Sequence, residues 1–173
     1  MTEFKEISPL ELQENAFKLI GKDWMLISAQ NQGHVNAMTA SWGGVGVMWA
    51  KNVAFVVIRP QRYTKEFVDG SEKFSISFFK EEYKKMLNYF GTVSGRDEDK
   101  ISTANLAMMF DSGVPYYKES KLTLFCKKLY SQKLDEKSFL DRKLIDVWYP
   151  KSDYHTLYVA EIEKVLVKAE SLN

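Results

Sequence analysis

Arg59 and Arg62 stand three positions apart around Pro60 in Arg59-Pro-Gln-Arg-Tyr-Thr64, where an apolar run ends. A guanidinium closing such a run is costly to bury unpaired, and Pro60 fixes the direction in which the chain leaves. With the Thr64 hydroxyl and the amides of a helix beginning there, the pair suits a doubly charged oxyanion such as a phosphate. The plainer alternative pairs Arg59 with a carboxylate and leaves Arg62 solvated. Upstream, Asn36-Ala-Met-Thr-Ala-Ser-Trp42 alternates, with Met38, Ala40 and Trp42 on one face of an extended segment and Ala37, Thr39 and Ser41 on the other. One face can enter a core while the other offers small hydroxyls to a ligand. A third feature is Ser94-Gly-Arg-Asp-Glu-Asp-Lys100. It is either a solvated turn or a loop that sets Ser94 and its neighbouring amides against an anion, with Arg96 or Lys100 supplying positive charge. His155 in Asp153-Tyr-His-Thr-Leu157 can serve a proton relay or a structural hydrogen bond. His34 beside a turn is incidental.

Other chemistries find no support. Gly43-Gly44-Val45-Gly46 lacks the Lys-Ser or Lys-Thr of a phosphate loop and the immediate helix of a dinucleotide fingerprint, so it is expected to serve a bend or a close backbone approach. There is no His-x-x-x-His, no paired metal carboxylates and no serine elbow, so no metal site is expected. Cys126 is the single cysteine, which excludes an internal disulfide and any Cys-based metal cage and fits a reduced, cytoplasmic setting. Lys plus Arg number 24 against 23 Asp plus Glu, a net charge of +1, so no bulk field draws the chain to nucleic acid or anionic lipid. No apolar run is long enough for a membrane span, and the N-terminus lacks a signal pattern.

These residues must be held by a framework, and most of it reads as strand. With 173 residues, 45% of them hydrophobic and 14% aromatic, a single domain over 1–173 with its own core is expected. Ser8, Pro9 and Glu11 form a helix start for a helix ending at Gly21. Trp24 to Ala29, the Asn31-Gln32-Gly33 turn and Asn36 to Trp42 form a β-hairpin. Val53 to Ile58 suits a buried strand, and Lys73 to Phe79 alternates Phe74, Ile76 and Phe78 against serines. Tyr83, Met86, Leu87 and Phe90 recur at helical spacing before a stop at Gly91, and a second short helix is expected from about Thr103 to Phe110. Leu122 to Tyr130, Leu144 to Trp148 and His155 to Lys168 read as strands. An antiparallel barrel decorated by helices is the economical architecture.

Asn36 to Trp42, Arg59 to Thr64, Ser94 to Lys100 and Asp153 to Val159, in that order and spacing, closely resemble the flavin reductase family with the FMN-binding split barrel. The resemblance implies a mainly β fold, a six-stranded antiparallel Greek-key split barrel with inserted α-helices, forming a homodimer with one FMN per subunit near the shared interface. It implies that Met38, Thr39, Ala40, Ser41 and Trp42 line the isoalloxazine through backbone groups and the two hydroxyls. Arg59, Arg62, Tyr63 and Thr64 would hold the ribityl phosphate end. Ser94, Gly95 and Lys100 would lie beside the flavin, and His155 near the face that receives a nicotinamide. A cation or backbone donor beside the flavin would raise its reduction potential. The implied activity passes a hydride from NADH or NADPH to flavin and on to a small-molecule or flavin acceptor. A non-enzymatic carrier reduced by a partner protein is the alternative. An oligonucleotide-binding barrel, a third possibility on the same architecture, is disfavoured by the near-neutral charge. The family often has Gly-Asp-His where this chain has Asp153-Tyr154-His155, and the stretch from Lys133 to Tyr149 follows no general pattern of the family.

Overall fold

The computed structural model describes residues 4–169. In chain order the elements are β1 (Phe4–Ile7), β2 (Met25–Asn31), β3 (His34–Ala40), β4 (Gly43–Met48), β5 (Lys51–Ile58), α1 (Thr64–Gly70), β6 (Lys73–Phe78), α2 (Lys84–Thr92), α3 (Lys100–Thr103), β7 (Met108–Asp111), β8 (Val114–Tyr117), β9 (Leu122–Lys133), α4 (Lys143–Trp148) and β10 (Thr156–Lys168). Eight strands form one antiparallel sheet in the order β3-β2-β6-β9-β10-β5-β4, with β1 also on β10, and β7 pairs with β8. The mainly β, helix-decorated architecture follows the expectation, with eight sheet strands where six were expected.

The long strand β10 explains how the sheet curls. Its first half pairs with β5 and its second half with β1, while β9 follows it throughout with register shifts at Val159/Ala160 and Ile162/Lys164. Such irregularities bend and twist a strand, so one strand serves both halves of the barrel. The expected alternation on β3 is borne out. Met38 enters the main core with Met25, Ile27, Val56, Ile76 and Tyr158, whereas Ala37 turns to a second cluster with Leu26, Leu87, Phe90 and Tyr117 under α2. Burying apolar side chains on both faces of the central strands stabilises the sheet by about 25 cal/mol per Å² of apolar surface. Cys126 is wholly buried, and desolvation pushes its thiol up, so it is a packing residue without reactivity.

Several elements differ from the sequence reading. The N-terminal helix is replaced by a turn at Pro9–Glu11, capped as expected by Ser8 and Glu11, and a separate helical turn at Lys18–Asp23 that runs through Gly21. Leu10 and Phe17 are exposed, so the stretch lacks the continuous buried face that would hold the two turns together as one helix. The glycine stretch is strand β4 rather than a bend, and the close backbone approach expected as the alternative is found at Gly43. Gly43 is required there because a Cβ would lie 2.3 Å from the Phe55 carbonyl oxygen across the ladder. Gly91 lies within α2. The expected helix over 103–110 sits earlier, at α3, where the Asp99 carboxylate accepts from the Ser102 amide at 3.1 Å. Met108 to Asp111 instead pair with β8. Leu144 to Trp148 form α4 rather than a strand. A short apolar run does not distinguish the two, and this one lies outside the sheet, with every residue at least partly exposed.

Candidate functional site

Strand β3 is a terminal strand of the sheet, so among the described residues the backbone groups on its outer edge have no ladder partner. Beyond its end the chain runs through Ser41 and Trp42 into β4, and this corner forms one wall of a cleft of about 340 Å³. Met38, Thr39, Ala40, Ser41 and Trp42 line it together with Val57 and Arg59 from the end of β5, Arg62, Trp148 from α4 and His155 before β10. The Thr39 hydroxyl donates to the Leu87 carbonyl at 2.6 Å, which ties β3 to α2 and leaves that oxygen only as an acceptor towards the cleft.

Arg62 also lines an adjoining pocket of about 140 Å³ with Asn36, Tyr63, Thr64, Ser94, Gly95 and Lys100. The last carbonyls of α2 hold both cations of this pocket. Arg62 donates to Gly91 at 2.9 Å and to Phe90 at 3.1 Å, and the Lys100 ammonium donates to Phe90 at 3.3 Å. The negative end of a helix favours cations there, yet among the described residues no carboxylate is in ion-pair contact with either. Burial first, then the Arg62 charge, pushes Lys100 down to about 8, with Glu98 opposing at longer range. Desolvation likewise lowers Arg62. A buried ammonium beside a half-buried guanidinium without an anion is costly, and a bound anion would offset that cost. Asn36 donates to Thr64 at 2.9 Å and sets the pocket floor, and a Cβ on Gly95 would stand 2.2 Å from the Asn36 side-chain oxygen. Only glycine admits this approach. Ser94 closes the 94–98 turn, its carbonyl accepting from the Asp97 amide at 3.1 Å and its hydroxyl from the Arg96 amide at 3.2 Å.

Of the two readings of Arg59, the structure shows the pairing with a carboxylate, while Arg59 and Arg62 both still line the cleft. Arg59 pairs with Asp153 at 2.5 Å, donates to the Trp148 carbonyl at 2.8 Å and lies over the Tyr149 ring. Arg62 is joined by Lys100 instead. The helix start contributes less than expected, because the amides of Lys65 and Glu66 already donate to the carbonyls of Arg62 and Tyr63. Tyr63 meets Phe67 edge to face and carries the Arg96 guanidinium over its ring, and Arg96 is paired with Glu66. Charge at Arg96 is thus already met at the surface.

His155 is buried with its Nδ1 2.8 Å from the Tyr149 hydroxyl and its ring 5.2 Å from that of Trp42. Burial, then the Arg59 charge, pushes the imidazole down to about 4 against the pull of Asp153. It is neutral at physiological pH, with Nε2 left to meet a ligand. Asn36, Trp148, Tyr149 and Asp153 were not picked out as site residues. Asn36 opens the alternating segment and carries a signal, whereas the other three depend on how the 134–155 segment folds back.

The profile of the flavin reductase like domain family matches residues 18–173. The chain belongs to this family. Among solved structures, the FMN-binding domain of a flavin reductases-like enzyme from Shewanella baltica superposes with a TM-score of 0.72 at 19% identity, covering 98% of this chain and 80% of the other. Flavoredoxin from Methanosarcina acetivorans gives 0.71 at 20% identity over 96% and 79%. The styrene monooxygenase flavin reductase from Pseudomonas putida gives 0.61 at 17% identity over 83% and 77%. The likeness at these identities is one of fold. No curated protein matches the chain. Among the described residues no helix is long and apolar enough to cross a membrane.

Proposed function

We propose that this flavin reductase-like protein binds FMN and passes electrons from NADH or NADPH to an acceptor. The observation that carries the reading is that Arg62 lines both the cleft and the small cationic pocket. A flat ring system and a dianion, joined by a short polar chain, match that pair of cavities. The residues fit the group: Lys100 and Arg62 face each other without an anion, and the Asn36–Gly95 contact forms a cradle that any side chain at 95 would fill. Lys100 and Arg62 supply the charge for the phosphate, with Thr64, Ser94 and Gly95 as close neighbours, and Met38 to Trp42 border the ring. Bound FMN supplies the hydride acceptor and the electron store.

The chain's own residues position and tune. The outer edge of β3 offers unpaired backbone groups to the polar rim of a ring. Trp42, Trp148 and His155 give one side of the cleft aromatic surface against which a ring can pack. His155, neutral and anchored by Tyr149, acts as a fixed hydrogen-bonding group rather than an acid. Val45, Val47, Met48 and Trp49 expose an apolar surface on and after β4, the other terminal strand of the sheet, and a second copy of the chain in a homodimer would cover it.

A second reading rests on Leu140, Leu144 and Val147, exposed on the segment that carries Trp148 to the cleft. They would suit a docking electron-transfer protein, making this chain a carrier. Equilibrium titration of the purified protein with FMN tests the first requirement of both readings. Saturation at one FMN per chain supports them, and failure to bind removes them.

A further inference from the structure

Of the two readings of Arg59, phosphate ligand or partner of a carboxylate, its three contacts match the second. Its guanidinium holds the Asp153 carboxylate at 2.5 Å and the Trp148 carbonyl at 2.8 Å, and it lies 5.2 Å above the Tyr149 ring. Gln61 adds a second bond to Asp153 at 2.9 Å. These contacts fasten the segment between β9 and β10 onto the end of β5. The base of that segment is closed where the Leu134 amide donates to the His155 carbonyl at 2.9 Å. Its interior is aromatic, with Phe139, Tyr149 and Tyr154 in mutual ring contact. Its free edge presents Trp148, which meets Trp42 edge to face at 4.9 Å across the cleft mouth and is still 46% exposed. Without Arg59 the carbonyl that follows the Trp148 side chain loses its anchor, and Asp153, two residues before His155, loses its counter-ion.

We infer that Trp148 determines which molecule can stand in the open side of the cleft, and that Arg59 and Asp153 are positioning residues that hold Trp148 and His155 for this purpose. The inference rests on the proposed flavin site, because the molecule admitted is the electron donor or acceptor of that site. Trp148 and Trp42 touch edge to face and close this side of the cleft mouth, so a planar ring such as a nicotinamide would approach along the exposed edge of Trp148. A bulky acceptor is excluded while Trp148 is held in place. A guanidinium that donates to two separate acceptors while lying over a ring is a geometry that lysine cannot reproduce.

The test uses the full chain and the variants Arg59→Ala, Arg59→Lys, Trp148→Ala and the exchanged pair Arg59→Asp with Asp153→Arg. Edge-to-face indoles couple, so wild type should show a circular-dichroism couplet that Trp148→Ala abolishes. Arg59→Ala and Arg59→Lys should weaken that couplet and raise the KM for the nicotinamide donor about tenfold, the equivalent of one charge-assisted hydrogen bond. FMN should lose no more affinity than riboflavin in both, and the exchanged pair, which restores the ion pair but not the bond to the Trp148 carbonyl, should recover couplet and KM in part. Trp148→Ala should admit bulkier acceptors. If Arg59→Ala keeps the couplet and the donor KM but weakens FMN while sparing riboflavin, Arg59 is a phosphate ligand and the inference is overturned. An exchanged pair no better than Arg59→Ala overturns the salt-bridge part. Should the wild type bind no FMN, the functional reading fails, while the couplet still decides whether Arg59 holds Trp148.

Discussion

Replacing Lys100 by methionine should move stability and ligand affinity in opposite directions. Lys100 is 4% exposed, and its ammonium rests on one carbonyl beside the Arg62 charge. Its folded-state pKa of about 8 lies below the ordinary 10.5, so the folded protein disfavours the charged form. For a base lowered in this way the cost is complete below about pH 8 and is relieved as pH rises from 8 towards 10.5. The gap of 10.5 minus 8 corresponds to about 3 kcal/mol at 1.36 kcal/mol per pH unit. Methionine keeps the length and removes the charge, so Lys100→Met should stabilise the ligand-free protein at pH 7 by a part of that amount. The same change removes a charge-assisted hydrogen bond to the phosphate, about 1.5–3 kcal/mol or roughly 10- to 150-fold in FMN affinity. Riboflavin lacks the phosphate and should bind both proteins equally. Denaturant unfolding and fluorescence titration with the two flavins measure the quantities. In wild type, FMN affinity should also fall as pH rises above about 8, while riboflavin affinity does not follow. Equal losses for FMN and riboflavin, or a ligand-free variant less stable than wild type, would refute the reasoning.

Gly95→Ala should sharply reduce FMN affinity while leaving the fold intact, because its Cβ meets Asn36 at 2.2 Å in the pocket and not in the core; titration checks the first and circular dichroism the second. Gly43→Ala should destabilise the protein by about 1–3 kcal/mol, the usual cost of overpacking, measured by urea unfolding, because the added Cβ meets a strand carbonyl at 2.3 Å. His155 has a folded pKa near 4 against an ordinary 6.5, so the unfolded chain takes up a proton that the folded one refuses. Stability should therefore fall between pH 6.5 and 4, and His155→Gln should flatten that part of the curve in acid unfolding.

Much of the framework was legible because the relevant signals are local. Alternation on Ala37 to Ala40, the continuous run from Val53 to Ile58 and the capping box at Ser8 are each settled within a few residues. The misread elements lacked such closure. Leu144 to Trp148 had no periodicity long enough to separate helix from strand, and the helix from Ser8 needed a buried face that Leu10 and Phe17 do not find. The site was legible in its residue types and less so in its pairings. Arg62, Thr64, Ser94, Gly95 and Lys100 do meet in one pocket. That Arg59 turns to Asp153 instead depends on where a segment of unfamiliar sequence folds back, ninety-four positions along the chain. Trp148 as a wall of the cleft follows from the same long-range closure.

The most direct measurement is anaerobic reduction of the FMN-loaded protein followed through the flavin absorbance bands. The account predicts that NADH or NADPH alone bleaches the bound flavin. Bound flavin that stays oxidised with both nucleotides, and is reduced only when a partner protein is added, would contradict it.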